Sequence, residues 1–194
     1  MSNSITIHEA SVLWVKNLKD KSAFFAQELS FFLYQARKTK QFDSHQIVKL
    51  RKDAKLQRVF GEVIAYLEER NLIETTAYDY YLIKGQDSTS LEIIGSLYPL
   101  GYFSHLTAMQ IYNLTDRFPK AIDFTAPIRA TWKKQQQDYF VESEFDDTAF
   151  EHTDFSLPYP SEVISFNRKK LQVHSRKVLF PFTQRGKHIR VIEI

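Results

Sequence analysis

The sequence of 194 residues contains no cysteine, only five glycines and only six prolines. Without cysteine there are no disulfides, thiolate zinc sites or cysteine nucleophiles, and the composition is compatible with a reducing cytosol. The few glycines form no loop of the kind that cradles nucleotide phosphates. The sequence has no apolar stretch of transmembrane length and no signal-peptide pattern at its N-terminus. We therefore expect a cytoplasmic protein that uses no cofactor and does not bind a membrane.

The rest of the composition is that of a folded protein. Hydrophobic residues make up 43% of the chain and charged residues 25%, so we expect packed structure rather than disorder. The net charge of +3 is too small to indicate nucleic-acid binding by itself. However, residues 138–154 carry seven acids and no Lys or Arg, whereas residues 168–194 carry eight Lys or Arg and one acid. This asymmetry indicates a polar partner, or else two segments that face each other or the solvent.

Apolar periodicity in the N-terminal half predicts three helices followed by a hairpin. Apolar residues at helical spacing predict helices over 21–38 and 55–70, and a hydrophobic staple predicts a short helix over 43–50 between them. Residues 72–75 and 80–83 are typical of two strands joined by a tight turn. The first twenty residues are mixed, and we interpret them as an arm that anchors on the core or on a second subunit, which leaves a homodimer open.

This order of elements is typical of a winged helix-turn-helix, and we assign residues 1–86 to such a domain with an N-terminal arm. The helix over 55–70 has one apolar stripe for the core and an opposite polar face that suits the major groove of DNA. Asn71 can end this helix because asparagine tolerates a left-handed backbone. The segment LEERNLIE, residues 67–74, is similar to the segment that connects the recognition helix to the wing in many such regulators.

Candidate DNA-binding residues lie on the polar face of the long helix, in the turn before it and in the wing. Gln57 and Arg58 have the chemistry to contact base edges, and Gly61 would allow close approach. Basic side chains in the turn suit phosphate contacts. The full set is Arg51, Lys52, Lys55, Gln57, Arg58, Gly61, Tyr78 and Lys84. Acids nearby favour the alternative of a winged helix that contacts only protein, because phosphate repels them; they are Glu62, Glu68, Glu69 and Glu74.

A polar linker, GQDSTS over residues 85–90, separates a second domain that we assign to residues 87–194. A helix is predicted over 91–97 and a strand over 121–125, whereas residues 132–141 are predicted as a helix or a loop. Four further short strands are predicted over 163–166, 171–174, 178–180 and 189–192. We therefore expect an α+β protein, in which a winged helix-turn-helix precedes a small α+β domain with a mainly antiparallel sheet.

The most informative stretch is YPLGYFSHLTAMQIYNLTDRFP, residues 98–119. Pro99 and Gly101 predict a turn. Ser104 then occupies the N-cap position of a short helix, where its hydroxyl can accept from a backbone N–H. The helix is expected to bury an apolar face and to end at an asparagine in the left-handed conformation. These residues are Leu106, Met109, Tyr112 and Asn113.

The order of residues in this stretch resembles the core signature of the AbiEi-type antitoxins, the DNA-binding halves of type IV toxin–antitoxin systems. That family shows a Ser-His-x-(Ser/Thr)-Ala-(Leu/Met) helix, then a Gly-Leu-Thr turn and a strand. The matching residues are Ser104, His105, Thr107, Ala108, Met109, Leu114 and Thr115. Asn113 replaces the usual glycine, a mild departure because asparagine also tolerates a positive φ. The family continues after a strand like Ile189-Arg190-Val191 into a helical C-terminal region, which we expect this relative to lack.

The resemblance implies a transcriptional regulator that represses its own operon. It would be the autorepressor or antitoxin component of a toxin–antitoxin or phage-defence operon, with operator double-stranded DNA as its partner. A toxin or a defence-complex protein is the second partner implied, and in this family neutralisation of the toxin depends largely on the C-terminal region. The alternative is a protein–protein interaction module of a defence complex that uses the winged helix only as a scaffold.

No catalytic constellation emerges from the sequence, so we expect no enzyme and no metal. Ser104 and His105 are adjacent, but neighbours at a helix start should point to different sides, whereas a nucleophile needs its base within hydrogen-bond reach. An acidic loop with one histidine offers metal ligands, yet a loop of this kind gives no defined coordination geometry. Its residues are Asp146, Asp147, Glu151, His152 and Asp154.

Overall fold

The computed structural model of the chain describes residues 5–18, 20–38, 53–142, 156–161, 164–166 and 168–193. For residues 34, 37, 38, 53–57, 137–142 and 165 it describes the backbone alone. The described residues form two units. Unit 1 comprises residues 5–18, 23–38 and 53–86, and unit 2 comprises residues 20–22 together with the described residues from 87 onwards.

Both units contain helices and strands, and the fold class is α+β. Unit 1 contains α1 (Ile7–Asn17), β1 (Ala23–Phe25), α2 (Ala26–Lys38), α3 (Asp53–Glu69), β2 (Ile73–Thr75) and β3 (Tyr80–Ile83). Unit 2 contains α4 (Ser90–Leu97), β4 (Tyr102–Phe103), α5 (His105–Ile111), β5 (Ala121–Pro127), α6 (Arg129–Glu142), β6 (Ser165–Phe166), β7 (Lys169–Arg176), β8 (Phe182–Gln184) and β9 (Arg190–Ile192). In these described ranges, no helix combines the length and the apolar character that crossing a bilayer requires.

The helix α1 replaces the N-terminal arm that the sequence predicted. It begins with a reciprocal capping box, in which the Thr6 hydroxyl accepts from the Glu9 N–H and the Glu9 carboxylate accepts from the Thr6 N–H at 2.9 Å. Ile7 and Val15 are buried in the core of unit 1, whereas Leu13 is 50% exposed. The segment that was interpreted as an arm is therefore a capped helix, and one of its faces anchors on the core of unit 1.

The helix predicted over 21–38 starts later than expected, because its first apolar residues form the strand β1. Phe24 and Phe25 are both buried in β1, which pairs antiparallel with β3 and gives the sheet order β1-β3-β2. The Glu28 carboxylate accepts from the Phe25 N–H at 2.9 Å where α2 begins. Two consecutive buried phenylalanines fit a strand that is covered on both faces better than a one-sided helix. The short helix predicted over 43–50 lies outside the described residues.

The long helix α3 is confirmed, and so is the hairpin that follows it. Val59, Val63 and Leu67 are buried along one face of α3, as the apolar stripe predicted. Asn71 follows the helix with φ of 55°. The N–H groups of Asn71 and Leu72 donate to carbonyl oxygens of the last turn, a Schellman arrangement that satisfies groups left open at the helix end. The helix therefore passes directly into the strands β2 and β3, which pair antiparallel.

The sheet of unit 2 is mixed, which corrects the prediction of a mainly antiparallel sheet. Its strand order is β6-β7-β5-β4-β9-β8. The pairs β6–β7, β4–β5 and β8–β9 are antiparallel, but β5–β7 and β4–β9 are parallel, and β5–β7 is the longest pairing. Parallel neighbours need a long connection, and here the chain between β5 and β7 contains the helix α6. Short strands alone do not reveal such a crossover.

The other elements of unit 2 follow the sequence prediction in part. The helix α4 begins with a second capping box, between Thr89 and Glu92. Residues 132–141, for which a loop was the alternative, belong to α6. The strand predicted over 178–180 is absent from the described structure of that segment, and β8 begins four residues later, at Phe182. Val178 is 77% exposed there, so its apolar character does not reflect burial in a strand.

The helix α4 lies very close to the β8–β9 hairpin at Gly95. A Cβ placed on Gly95 would lie 1.8 Å from the carbonyl oxygen of His188. Beside this contact, the Arg190 guanidinium donates to the carbonyl oxygens of Gly95, Tyr98 and Gly101 at 2.9, 3.1 and 3.0 Å. A cation at the end of α4 satisfies carbonyl groups that the helix leaves open. Arg190 therefore ties the last strand to the start of the central motif.

Candidate functional site

The DNA-binding residues predicted from the sequence fall mainly on α3 and on the β2–β3 hairpin. Arg51 and Lys52 lie outside the described residues. Lys55 and Gln57 lie in the first turns of α3, where the structure describes only the backbone. Of the candidate set, the structure therefore describes Arg58, Gly61, Tyr78 and Lys84 in full.

Arg58 and Gly61 share the exposed face of α3, opposite its buried stripe. The Arg58 side chain is 82% exposed, and its Nε donates to Glu62 Oε1 at 3.0 Å. Around Gly61 there is open space, because no heavy atom lies within 4 Å of a Cβ built there. The geometry leaves room for a close partner along this face. The cation that would contact that partner is paired with an acid one turn away.

The wing carries a similar pairing of opposite charges. Lys84 forms an ion pair with Glu74 across the hairpin. Tyr78 is half-buried in the turn, with its ring stacked at 6.4 Å on that of Tyr80. The Thr76 hydroxyl accepts from the Tyr78 N–H, which stiffens the turn. Both cations of the candidate set whose side chains are described, those of α3 and of the wing, therefore have an acidic neighbour.

The central motif forms a strand, a sharp turn and the seven-residue helix α5. Ser104 stands at the N-cap position, but its side chain makes no capping hydrogen bond, which corrects that prediction. Instead, its Oγ accepts from the Thr125 hydroxyl at 2.8 Å and lies 2.9 Å from His105 Nδ1. A tertiary contact with β5 thus competes successfully with the local cap. The predicted apolar face is also shifted, because Thr107 and Ala108 are buried while Met109 is 41% exposed.

His105 adopts an unusual backbone conformation at the start of α5. Its φ is 48°, in the left-handed region, which is unfavourable for a residue with a Cβ. In this conformation the imidazole and the Ser104 hydroxyl are within hydrogen-bond reach, so the expectation that the two side chains diverge is wrong. Ser104 is only 2% exposed, however, and a nucleophile must be accessible to its substrate. The pair is therefore better suited to positioning the imidazole than to acyl transfer.

A second histidine and a carboxylate complete a cluster around His105. His174 Nε2 lies 3.0 Å from Asp123 Oδ1, and the rings of His174 and His105 stack with centroids 4.0 Å apart. Ligand-type atoms of His105, Asp123 and His174 all lie within 4.8 Å of one another. Burial, and next the neighbouring His174, lower the pKa of His105 below its ordinary value. The neutral form of the His105 imidazole is therefore favoured, and it lies beside a second imidazole and one carboxylate.

This cluster was not predicted from the sequence, in which only the acidic loop was considered as a source of metal ligands. That loop, at residues 146–154, lies outside the described residues. Asp123 was assigned correctly to a strand, and period-two alternation places it on the same face as Thr125. The parallel pairing of β5 with β7 aligns Thr125 with His174 and thereby brings the histidine to Asp123. No local signal in the sequence indicates that pairing.

Two residues of the motif serve the structure of unit 2 rather than its surface. The Thr107 hydroxyl accepts from the backbone N–H of Asp123 at 2.8 Å, and Ala108 is 1% exposed against the sheet. The turn after α5 is more open. Leu114 is 57% exposed, and the Thr115 hydroxyl accepts from the Arg117 N–H at 3.1 Å.

Asn113 ends α5 as the sequence predicted. Its φ is 58°, and the N–H groups of Asn113 and Leu114 donate back to Gln110 and Met109 at 3.0 and 2.8 Å. This is the same Schellman arrangement that ends α3. Asparagine therefore ends this helix at little conformational cost.

We expect Thr107→Val to destabilise unit 2 by about 1–3 kcal/mol, because it leaves a buried backbone N–H without its acceptor. Urea denaturation followed by the fluorescence of Trp132 would measure the loss. Thr107→Ser is the matched control: it keeps the hydroxyl, and the family pattern accepts either residue at this position. A valine variant as stable as the serine variant would contradict the role of this hydrogen bond.

A scan of the chain against protein-family models gives no match, and a search of curated proteins gives no significant match. The resemblance to AbiEi-type antitoxins therefore stays a prediction that depends on the residues of the central motif.

Proposed function

We propose that the protein is a DNA-binding transcriptional regulator whose unit 1 is a winged helix-turn-helix domain. The observation that carries this proposal is the order of elements in unit 1: helix, strand, helix, the long α3 and a hairpin joined directly to it. The first strand pairs with β3, so the three strands form one small sheet of order β1-β3-β2. In this arrangement α3 corresponds to a recognition helix and the β2–β3 hairpin to a wing.

The two faces of α3 support the same proposal. Val59, Val63 and Leu67 hold the helix in the core, while Arg58 and Gly61 are exposed on another side. A recognition helix must be fixed along one face and free along the other, because the free face enters the major groove. The open space at Gly61 would let the helix backbone approach the groove closely.

The Arg58–Glu62 pair does not prevent DNA binding, but it does reduce it. An exposed ion pair with this spacing on a helix contributes only about 0.3–0.5 kcal/mol. A bidentate contact of arginine with guanine contributes about 1–3 kcal/mol of discrimination, so exchanging the glutamate for a base is favourable. Glu62 would then remain near phosphates as an unfavourable charge. Specific binding is therefore expected to be moderated by this acid.

The central motif supports the physiological part of the proposal by resemblance. An AbiEi-like regulator represses its own toxin–antitoxin or phage-defence operon in the cytoplasm, without a cofactor. Operator DNA would be the partner of unit 1. Unit 2 would contact a toxin or another protein of the defence complex.

Exposed apolar side chains favour a second candidate function, that of a protein-interaction module. Six large apolar residues of unit 2 are at least two-fifths exposed: Met109, Leu114, Phe118, Val178, Phe180 and Phe182. Phe118, at 80% exposure, is the most accessible of these. Where exposed apolar side chains form one contiguous patch, the surface typically contacts a partner. In this candidate function the winged helix acts only as a scaffold.

Opposite effects of two neighbouring substitutions would test the role of α3 in DNA binding. The assay is fluorescence anisotropy with duplex DNA from the gene's own upstream region and with a scrambled duplex, at several salt concentrations. We expect specific binding that weakens with salt. Arg58→Ala should weaken it by about 1–3 kcal/mol. Glu62→Gln should strengthen it, because the change frees Arg58 and removes a negative charge near phosphate.

Two controls remove the same charges elsewhere in unit 1. Lys16→Ala deletes an exposed cation on α1, and Glu9→Gln deletes an acid on the same helix while keeping a residue that suits the capping box. Both should leave operator affinity nearly unchanged. Equal, weak binding to both duplexes would indicate only nonspecific attraction of DNA to a basic surface, and it would contradict specific operator binding. No binding to either duplex at low salt would contradict DNA binding and favour the interaction module.

A further inference from the structure

We propose that His105, Asp123 and His174 of unit 2 form a binding site for a divalent first-row transition-metal ion of the zinc type. Two imidazoles and one carboxylate are a donor set that such ions accept. With neutral imidazoles the three side chains carry one negative charge, which attracts a divalent cation. The proposal concerns unit 2 alone and is independent of DNA binding by unit 1.

The three ligands are supplied by three adjacent pieces of the fold. His105 follows β4, Asp123 lies in β5 and His174 lies in β7, and these strands are neighbours in the order β7-β5-β4. Asp123 is 8% exposed, and its backbone N–H is bound by the Thr107 hydroxyl. Ligands on paired strands keep their spacing better than ligands on a loop. The carboxylate is therefore held in place before any ion arrives.

The distances suit an ion after a small adjustment of one side chain. Metal–ligand bonds of ~2.1 Å place neighbouring ligand atoms ~3.0–3.4 Å apart. His174 Nε2 and Asp123 Oδ1 are already 3.0 Å apart, and the third ligand atom lies within 4.8 Å. The stacked ring of His105 must turn so that its free nitrogen faces the ion. His105 is the exposed member of the cluster, so its ring has room to do so.

The hydrogen bonds around His105 leave the correct nitrogen available. Its Nδ1 lies 2.9 Å from Ser104 Oγ, which in turn accepts from the Thr125 hydroxyl. When an imidazole binds a metal through one nitrogen, the other normally donates to an oxygen atom that orients the ring. Ser104 is suited to this role, and His105 Nε2 becomes the metal ligand. The left-handed backbone of His105 brings its ring to this position, although that conformation favours glycine or asparagine.

At His174, the ion would replace a hydrogen bond. The 3.0 Å contact between His174 Nε2 and Asp123 Oδ1 is a hydrogen bond when no metal is present. Coordination through Nε2 places the single proton of the neutral imidazole on Nδ1, so the ion replaces this hydrogen bond without a net release of protons. The exposed side of His105 leaves at least one coordination position to the solvent, as in metal sites with three protein ligands. The site would therefore carry an exchangeable water or an external ligand.

Calorimetric titration of the metal-stripped, untagged full-length protein with zinc sulfate tests the proposal. We expect one zinc ion to bind per chain. His105→Asn and Asp123→Asn should each weaken binding at least tenfold. Asparagine is chosen at His105 because it tolerates the positive φ and so preserves the fold. Circular dichroism and thermal unfolding would check that both variants fold.

Two further histidines provide matched controls. His8→Asn removes an imidazole that packs against the Tyr66 ring in a tilted arrangement in unit 1, and His152→Asn removes the imidazole of the acidic segment. Neither change should alter the stoichiometry or the affinity. Failure of the parent protein to bind one zinc ion would overturn the proposal. A loss of binding in His152→Asn, with His105→Asn unchanged, would overturn it as well. Operator binding is read out separately, so either result leaves the function proposed for unit 1 to its own test.

Discussion

Gly95→Ala should lower the stability of unit 2 by about 3 kcal/mol or more, because overpacking in a site that cannot relax is strongly destabilising. The new Cβ would lie 1.8 Å from the carbonyl oxygen and 2.7 Å from the carbonyl carbon of His188. Both atoms belong to the backbone, so no side-chain rotation relieves the clash. Separating α4 from this segment would also lengthen the hydrogen bond from Arg190 to the Gly95 carbonyl.

The two tryptophans allow the effect to be assigned to one unit. Trp14 lies in unit 1 and Trp132 in unit 2. In a Trp14→Phe background, the fluorescence of Trp132 reports on unit 2 during urea unfolding. Gly95→Ala should shift this transition to markedly lower urea.

Gly61→Ala is the control for the general effect of replacing a helical glycine. A Cβ at Gly61 meets no atom within 4 Å, so alanine should stabilise α3 by about 0.5–1 kcal/mol through its higher helix propensity. The same substitution thus has opposite signs at the two positions. If Gly95→Ala unfolded at the same urea concentration as the parent, the close contact between α4 and residue 188 would be absent in solution.

Elements determined by nearby residues were the ones that the sequence predicted well. The stripe of Val63 and Leu67 identified α3, since a period of 3.6 residues needs no information from outside the helix. The ends of α3 and α5 were predicted from Asn71 and Asn113, because asparagine tolerates the left-handed conformation that closes a helix. The capping box that begins α1, with Thr6 and Glu9, was equally local and was overlooked.

Features that depend on distant pairing could not be predicted in the same way. Phe24 and Phe25 suit a helix or a strand by sequence, and pairing with Tyr81 and Tyr80 in β3 decides in favour of the strand. A parallel pairing requires a partner strand beyond a long connection, so nothing near β5 indicated β7. The mixed sheet of unit 2 follows from that pairing and not from the character of its short strands.

The candidate metal cluster illustrates the same limit at the level of a site. His105 and His174 are far apart in sequence, and they meet at Asp123 only because β5 pairs with β4 on one side and with β7 on the other. At Ser104, propensity predicted a cap, but the hydroxyl bonds to Thr125 on the neighbouring strand instead. The Ser104 hydroxyl can bond either to the start of its own helix or to Thr125. The bond to Thr125 is buried, and losing a buried hydrogen bond is costly because water cannot replace it.

Leu67→Ala should be the corresponding large loss in unit 1, about 2–5 kcal/mol, because it opens a cavity in a closed core. Leu67 is 0% exposed and belongs to the cluster that joins α1, α2, α3 and the sheet. Its carbonyl oxygen also accepts the Leu72 N–H where the helix passes into the hairpin. In a Trp132→Phe background, the unfolding transition reported by the fluorescence of Trp14 should shift to a lower urea concentration.

Leu13→Ala is the matched control for this cavity, since it removes the same atoms from a side chain that is 50% exposed on α1. It should change stability by about 0.5 kcal/mol or less. Because Leu67 holds α3 in the core and against the hairpin, its loss should also weaken operator binding under conditions in which unit 1 is partly unfolded. Zinc binding by unit 2 should persist in the same variant. A variant that lost both activities together would show that the two units do not fold independently, and would contradict the separation of the two proposed functions.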